Sequence, residues 1–183
     1  MNKFTPKSCL LALALMSCGL ATYADKYVIY PIPQSISMGK DALPMTSKVN
    51  LISESTIDKT TVSRLKSILE SHGIECLSGA PDANCVSIRL GTVGSGEEVE
   101  AFAFNDLALK QNRIMVNKKF DRHAISVSEH GITILGEHTN AVFFALASLE
   151  QMLEQMNENA LEYVTIYDRA DQQNRGLVEG YYG

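Results

Sequence analysis

The sequence has no tryptophan, and its 7 tyrosines and 6 phenylalanines are scattered along 183 residues. It therefore lacks the side chain that most readily builds a flat stacking platform. Basic residues are short too: 16 Lys and Arg face 21 Asp and Glu, for a net charge of −5. No basic stripe interrupts this balance, which argues against a nucleic acid or an anionic membrane surface as partner. There is no CxxC pair, no HExxH, no GxSxG and no Walker lysine. The glycines of "GSGEE" lack the strand-to-helix setting of a phosphate cradle. Neither a metal nor a cofactor is expected, and no catalytic set is evident between residues 25 and 174.

Only one long apolar run is present, Leu10 to Ala21. It is too short to span a bilayer and follows Lys3 and Lys7. Ala24 precedes Asp25, with Thr22 three residues before the cut. This pattern predicts a signal peptide over residues 1–24 and an exported mature chain. The alternative is lipid anchoring at Cys18 after the loose lipobox "LMSC". A periplasmic, cell-surface or secreted location follows in either case. No membrane-crossing segment is expected in the mature chain, which carries a charge of about −7 once Lys3 and Lys7 are gone.

The four cysteines become two, Cys76 and Cys85, on either side of the turn-rich "LSGAPDAN". In an oxidising compartment they could close a small loop worth about 2–3 kcal/mol. Two unpaired thiols beside strand ends are the other reading. The histidines at 72, 123, 130 and 138 fall at a helix end, a strand entry, a turn and a loop, and read as solvated. Glu97, Glu98 and Glu100 likewise read as a solvated run.

Periodicity supplies the rest. "KYVIYPIPQSIS" alternates until Pro31 and Pro33, which suits an edge strand. Val49 and Leu51 mark a second strand. A helix is expected from about Thr56 to Ser71, stopped at Gly73. "CVSIRLG" alternates cleanly, "TVGSGEEVEAF" reads as a loop, and residues 99–120 give no firm pattern. "HAISVSE" and "ITILGE" form a hairpin about His130-Gly131, where the glycine suits φ > 0. Thr139 or Asn140 then caps a helix to about Met156, with Val142, Leu146, Leu149, Leu153 and Met156 as its stripe and Phe143 beside it. "EYVTIYD" is a short strand or an extended linker. The expected fold is a small α/β (α+β) domain, a mixed sheet covered by two helices.

The chain ends with "NRGLVEGYYG", an apolar strand with a bare glycine at its far end. "RGLVEGYYG" resembles the first barrel strand of glycoside hydrolase family 84, the N-acetylglucosaminidases often called O-GlcNAcases or hyaluronidases, whose pattern is R-G-x-V-E-G-F-Y-G. Tyr181 stands where Phe is usual. Upstream, "AISVSEHGITILGEHTNAVFFALASLEQML" is similar to the accessory domain that precedes the barrel in families 84 and 20, with Ala141 where Gly is common.

After the signal peptide at 1–24, the resemblance implies an accessory domain over 25–170 and a linker plus first strand of a (β/α)8 barrel over 171–183. A full barrel needs about 250 residues, so the chain would be a truncated frame, a fragmentary gene or a deliberately shortened piece. It implies a β-N-acetylglucosaminidase or hexosaminidase acting on N-acetylglucosamine-containing glycans by a retaining, substrate-assisted route. There the acetamide attacks the anomeric carbon and two aspartates serve it. That pair belongs to a later strand, so Asp168 and Asp171 are not it, and the chain alone is expected to be inactive. Gly180 is the one position expected to touch the sugar, through its backbone. Tyr182 would line the pocket and Glu179 would be structural. The expected partner is the enzyme's own barrel. The alternatives are a family 20 parent, a split enzyme with a separate barrel chain, and a stand-alone glycan-binding module.

Overall fold

A computed structural model describes residues 27–77, 81–103, 107 and 120–171. The leader at 1–24, the unassigned stretch beyond 103 except Leu107, and "RGLVEGYYG" with Gly180 lie outside the described residues.

Among the described residues, seven strands and three helices follow in the order β1 (Ser35–Pro44), β2 (Lys48–Ser53), α1 (Lys59–Ser71), β3 (Glu75–Leu77), β4 (Val86–Thr92), α2 (Glu98–Ala103), β5 (Phe120–Ser128), β6 (Gly131–Gly136), α3 (Thr139–Glu154) and β7 (Ala160–Ala170). They form one sheet in the order β1-β7-β5-β6-β4-β2-β3. One half, β3, β2, β4 and β6, is parallel. The other, from β6 through β5 and β7 to β1, is antiparallel. The mixed sheet expected from the sequence is therefore present.

Register carries the core. Ile36, Ile166, Ile125, Ile134 and Leu90 stand in one row across five strands. Met38, Val164, Val127, Ile132, Ile88 and Leu51 form the next. Alternation along each strand puts both rows on the same face, and α3 closes over it with Val142, Leu146, Leu149 and Met152 fully buried. Alongside, α1 adds Leu65, Ile68 and Leu69. Burying one such aliphatic side chain stabilises by about 1.5–3 kcal/mol.

Four expectations need correction. The edge strand is β1, and it begins at Ser35 rather than Lys26. Pro31 and Pro33 have no N–H to give a ladder, and Val28 and Tyr30 bond instead to the side-chain amides of Gln155, the C-cap of α3, and Gln151 within it. "EEVEAF" contains α2, which lies on the opposite sheet face, where Ala103 and Leu107 pack with Ala124 and Leu135. "EYVTIYD" belongs to an eleven-residue strand, β7, held between β1 and β5. The cap of α3 is His138, whose side chain accepts from Ala141 N, and that of α1 is Asp58, accepting from Thr61 N.

The turn expected at His130-Gly131 is in place, with Gly131 at φ 102°. A side chain there would also run into the Ser87 carbonyl. Among the described residues, no helix is long and apolar enough to cross a membrane.

Candidate functional site

Cys76 and Cys85 are both free. Val49 of β2 pairs with Cys76 on one side and with Val86 on the other. The cysteines are thus about two strand spacings, roughly 10 Å, apart, beyond the ~7 Å that a disulfide tolerates. Desolvation raises both thiol pKa values, which makes them poor nucleophiles at neutral pH.

The acidic run is more ordered than a solvated face. Glu100 accepts from Gly94 N and, at 2.7 Å, from Gly96 N. Glu97 accepts from Ser55 N at 3.0 Å and from the Ser55 hydroxyl. Hydrogen bonds from Gly94 and Ser55 respectively hold the Glu100 and Glu97 carboxyls below their usual range. Beside them is a group the sequence did not flag. Glu54 is 4% exposed at the end of β2. Its two oxygens accept from Thr92 N at 2.8 Å and Glu100 N at 2.7 Å. One carboxylate thereby ties β2, β4 and α2 together, and Gly91 leaves it room. Its bonding makes it a brace.

Histidines divide three to one. His72 and His138 cap helices, and His130 sits at the hairpin tip. His123, expected to be solvated, is 5% exposed inside β5. A register shift in the β5–β7 pairing falls between Phe120 and His123, with Asp121 at φ 54°. The Asp121 carbonyl lies 2.9 Å from His123 Nδ1. A carbonyl can only accept, so Nδ1 carries the proton and neutral His123 presents a lone pair at Nε2. That Nε2 is buried and has no hydrogen-bond partner. Burial pushes the His123 pKa down, while the Asp121 hydrogen bond and the charges of Asp168 and Asp121 pull it back.

His123 helps line a cavity of about 150 Å3 with Tyr30, Asp121, Phe144, Gln151, Asp168 and Arg169. Ligand sites usually span about 300–1,000 Å3, so this space suits one inserted side chain better than a sugar ring. Its wall combines the Asp121 and Asp168 carboxylates with the Arg169 guanidinium and the Gln151 amide. A broader trough of about 440 Å3 crosses the outer sheet face along Ser37, Ser126, Ser128, Tyr163 and Thr165. Among the described residues, no three His, Cys, Asp or Glu side chains gather as metal ligands. Gly180 lies outside the described residues.

Comparison with known proteins gives this architecture a class. Residues 26–169 match the family described as glycosyl hydrolase family 20, domain 2. The chain belongs to that family, and it is an accessory domain of the kind found in glycoside hydrolase families 20 and 84. The solved structure of CpGH84D is similar over 87% of this chain, at 32% identity and a TM-score of 0.76. The Flavobacterium johnsoniae chitobiase is similar over 84%, at 19% identity and a TM-score of 0.54. A Vibrio harveyi family 20 exo-β-N-acetylglucosaminidase, solved with N-acetylglucosamine, matches over 78%, at 14% identity and a TM-score of 0.54. The latter two likenesses concern the fold alone. The chain spans 26%, 22% and 19% of the three relatives' lengths.

Proposed function

We propose that this chain is the N-terminal, non-catalytic part of an exported β-N-acetylglucosaminidase of family 84 type. The observation that carries this reading is the domain 2 match over residues 26–169. Identity of 32% to CpGH84D, against 19% to the chitobiase, favours family 84 over family 20 as parent. The likeness of Arg175–Gly183 to a family 84 barrel strand points the same way.

In the whole enzyme the substrate's acetamide oxygen attacks the anomeric carbon. One aspartate orients the acetamide, and a second protonates the leaving oxygen and then activates water. Both belong to the barrel. This domain's part is mechanical: it packs against the barrel and supports the loop after its first strand, where the Gly180 backbone would meet the sugar.

The test is to read the coding frame past Gly183, express its complete product, and assay it beside the 183-residue chain on 4-nitrophenyl N-acetyl-β-glucosaminide. The complete product should hydrolyse it and the shorter chain should not. Fluorination of the N-acetyl group should slow the complete product steeply, because it weakens the attacking carbonyl. A frame with no hydrolase domain and no co-purifying barrel chain would sink the reading. N-terminal sequencing of the exported protein should begin at Asp25; a blocked, lipid-modified Cys18 would instead establish anchoring. The glycan-binding alternative has the trough along Ser37, Ser126 and Thr165 in its favour. Titration of the chain with N-acetylglucosamine oligomers decides it.

A further inference from the structure

We propose that the trough on the outer face of β1, β7 and β5 binds an uncharged oligosaccharide, held by a row of side-chain hydroxyls. For its choice of sugar, an N-acetylglucosamine chain, this rests on the reading of the protein as part of a β-N-acetylglucosaminidase. It narrows that enzyme's substrate to uncharged polymers.

The first argument is the row. Ser37, Thr165 and Ser126 stand opposite one another on three adjacent strands. Each alternates with core residues: Ser37 with Ile36 and Met38, Thr165 with Val164 and Ile166, Ser126 with Ile125 and Val127. Their hydroxyls therefore stand on the sheet face away from α3, along a line of about 10 Å, two strand spacings. Among the described residues none of the three hydroxyls has a hydrogen-bond partner within the protein. Each is free to donate and to accept, which is what the hydroxyls of a sugar also do.

The second is charge. Lys, Glu, Arg and Asp ordinarily hold the outward positions of a fold, and they make up 20% of this chain. Yet no Asp, Glu, Lys or Arg lines the trough. An anionic ligand would meet no cation there, and the net charge of −5 would repel it. A cationic ligand would meet no carboxylate. The lining therefore selects a molecule that is uncharged and rich in hydroxyls.

The third is shape. Gly39 also lines the trough, at the irregularity where the β1–β7 register shifts between Met38 and Ala42. Such bulges are common beside binding sites. A Cβ at Gly39 would stand 2.6 Å from Tyr163 Cβ, so the bare backbone makes room for the tyrosine in the wall. Half-buried Tyr163 gives a sugar one amphipathic ring to lie against, in a chain that has no tryptophan. The volume of about 440 Å3 falls within the range of ligand sites.

The experiment is calorimetric titration of the 183-residue chain with two probes. One is the N-acetylglucosamine tetramer; the other is a tetramer in which glucuronate alternates with N-acetylglucosamine. The uncharged tetramer should bind at least about tenfold more tightly than the acidic one, which has no cation to meet. Ser126→Ala combined with Thr165→Val should weaken its binding about tenfold, the worth of two lost hydrogen bonds. If that variant does not fold, amide NMR shifts of the wild type decide: Ser37, Ser126 and Thr165 should move on titration and Val93 should not. No binding, or shifts confined to other residues, overturns the proposal. Binding that survives the double variant places the sugar elsewhere and overturns it too. An acidic tetramer that binds as tightly as the uncharged one overturns the ligand class. Absence of binding beside an active hydrolase from the complete reading frame leaves the proposed function standing. Binding at the trough in a frame with no hydrolase domain does the reverse: it keeps the site and removes the proposed function.

Discussion

Glu54 and His123 are buried to almost the same degree, 4% and 5% exposed, at different places in one sheet. Glu54 ends a parallel strand, and the backbone donors Thr92 N and Glu100 N fill both its oxygens. His123 lies in the antiparallel half, and one of its two nitrogens is buried without a partner. The contrast separates two uses of a buried polar group. A satisfied one braces the fold and concerns no other molecule. An unsatisfied one costs stability in the isolated domain, and that cost is recovered only when something supplies the partner.

The sharpest way to break the comparison is at the closed corner. Glu54→Ala removes two acceptors at once and should cost about 3 kcal/mol, with Glu54→Gln losing roughly half of that. The urea midpoint of the 183-residue chain measures it, and an unchanged midpoint would remove the brace. Gly91→Ala should come next, at about 2 kcal/mol by overpacking, since a Cβ there would stand 2.8 Å from Val99 Cγ1 and 2.9 Å from the Glu54 carboxyl. Asp58→Ala should follow with a smaller loss, as expected for a lost N-cap, and a lower melting temperature of the same chain reads it.

At the open corner the effects reverse in character. His123→Leu should move stability by less than about 1 kcal/mol, because it deletes an unpartnered nitrogen along with one hydrogen bond. A loss as large as that at Glu54 would show that Nε2 is satisfied within this chain. The smallest effect is in pH. Burial holds the folded His123 pKa below its ordinary 6.5, against the opposing pull of Asp121 and Asp168, with Arg169 also in the cavity wall. The unfolded chain therefore binds the proton more tightly, so stability is full above about 6.5 and declines as pH falls below it. The carboxylates of Asp58, Glu97, Glu100 and Glu137 also sit low, and they weaken the fold only in stronger acid. Between about pH 7.5 and 5.5 the wild type should lose more of its urea midpoint than His123→Leu does.

Much of this fold was legible because its signals are local. Gly73 and Gly131 mark a helix stop and a hairpin turn, both at positive φ. The alternation of Val86, Ile88 and Leu90, and the spacing of Val142, Leu146 and Leu149, report one face of a strand and one of a helix. Legibility failed where the partner is distant. The eleven residues of β7 looked too short because what completes them is β1, more than a hundred residues earlier. The helix α2 hid among glycines and acids because its support comes from Glu54. Spacing in sequence made Cys76 and Cys85 look like neighbours, and the insertion of β2 between their strands parts them.

The sequence by itself determined α1, α3 and the faces they bury, the hairpin of β5 and β6, and the mixed character of the sheet. The elements follow from side-chain period and turn chemistry within a few residues, whereas the family likeness rests on matched motifs. Tertiary structure alone decided the strand order, the state of the cysteines, and which polar groups are enclosed. Enclosure depends on what stands across the sheet, and no local pattern marks a histidine whose surroundings come from residues 30, 144 and 168.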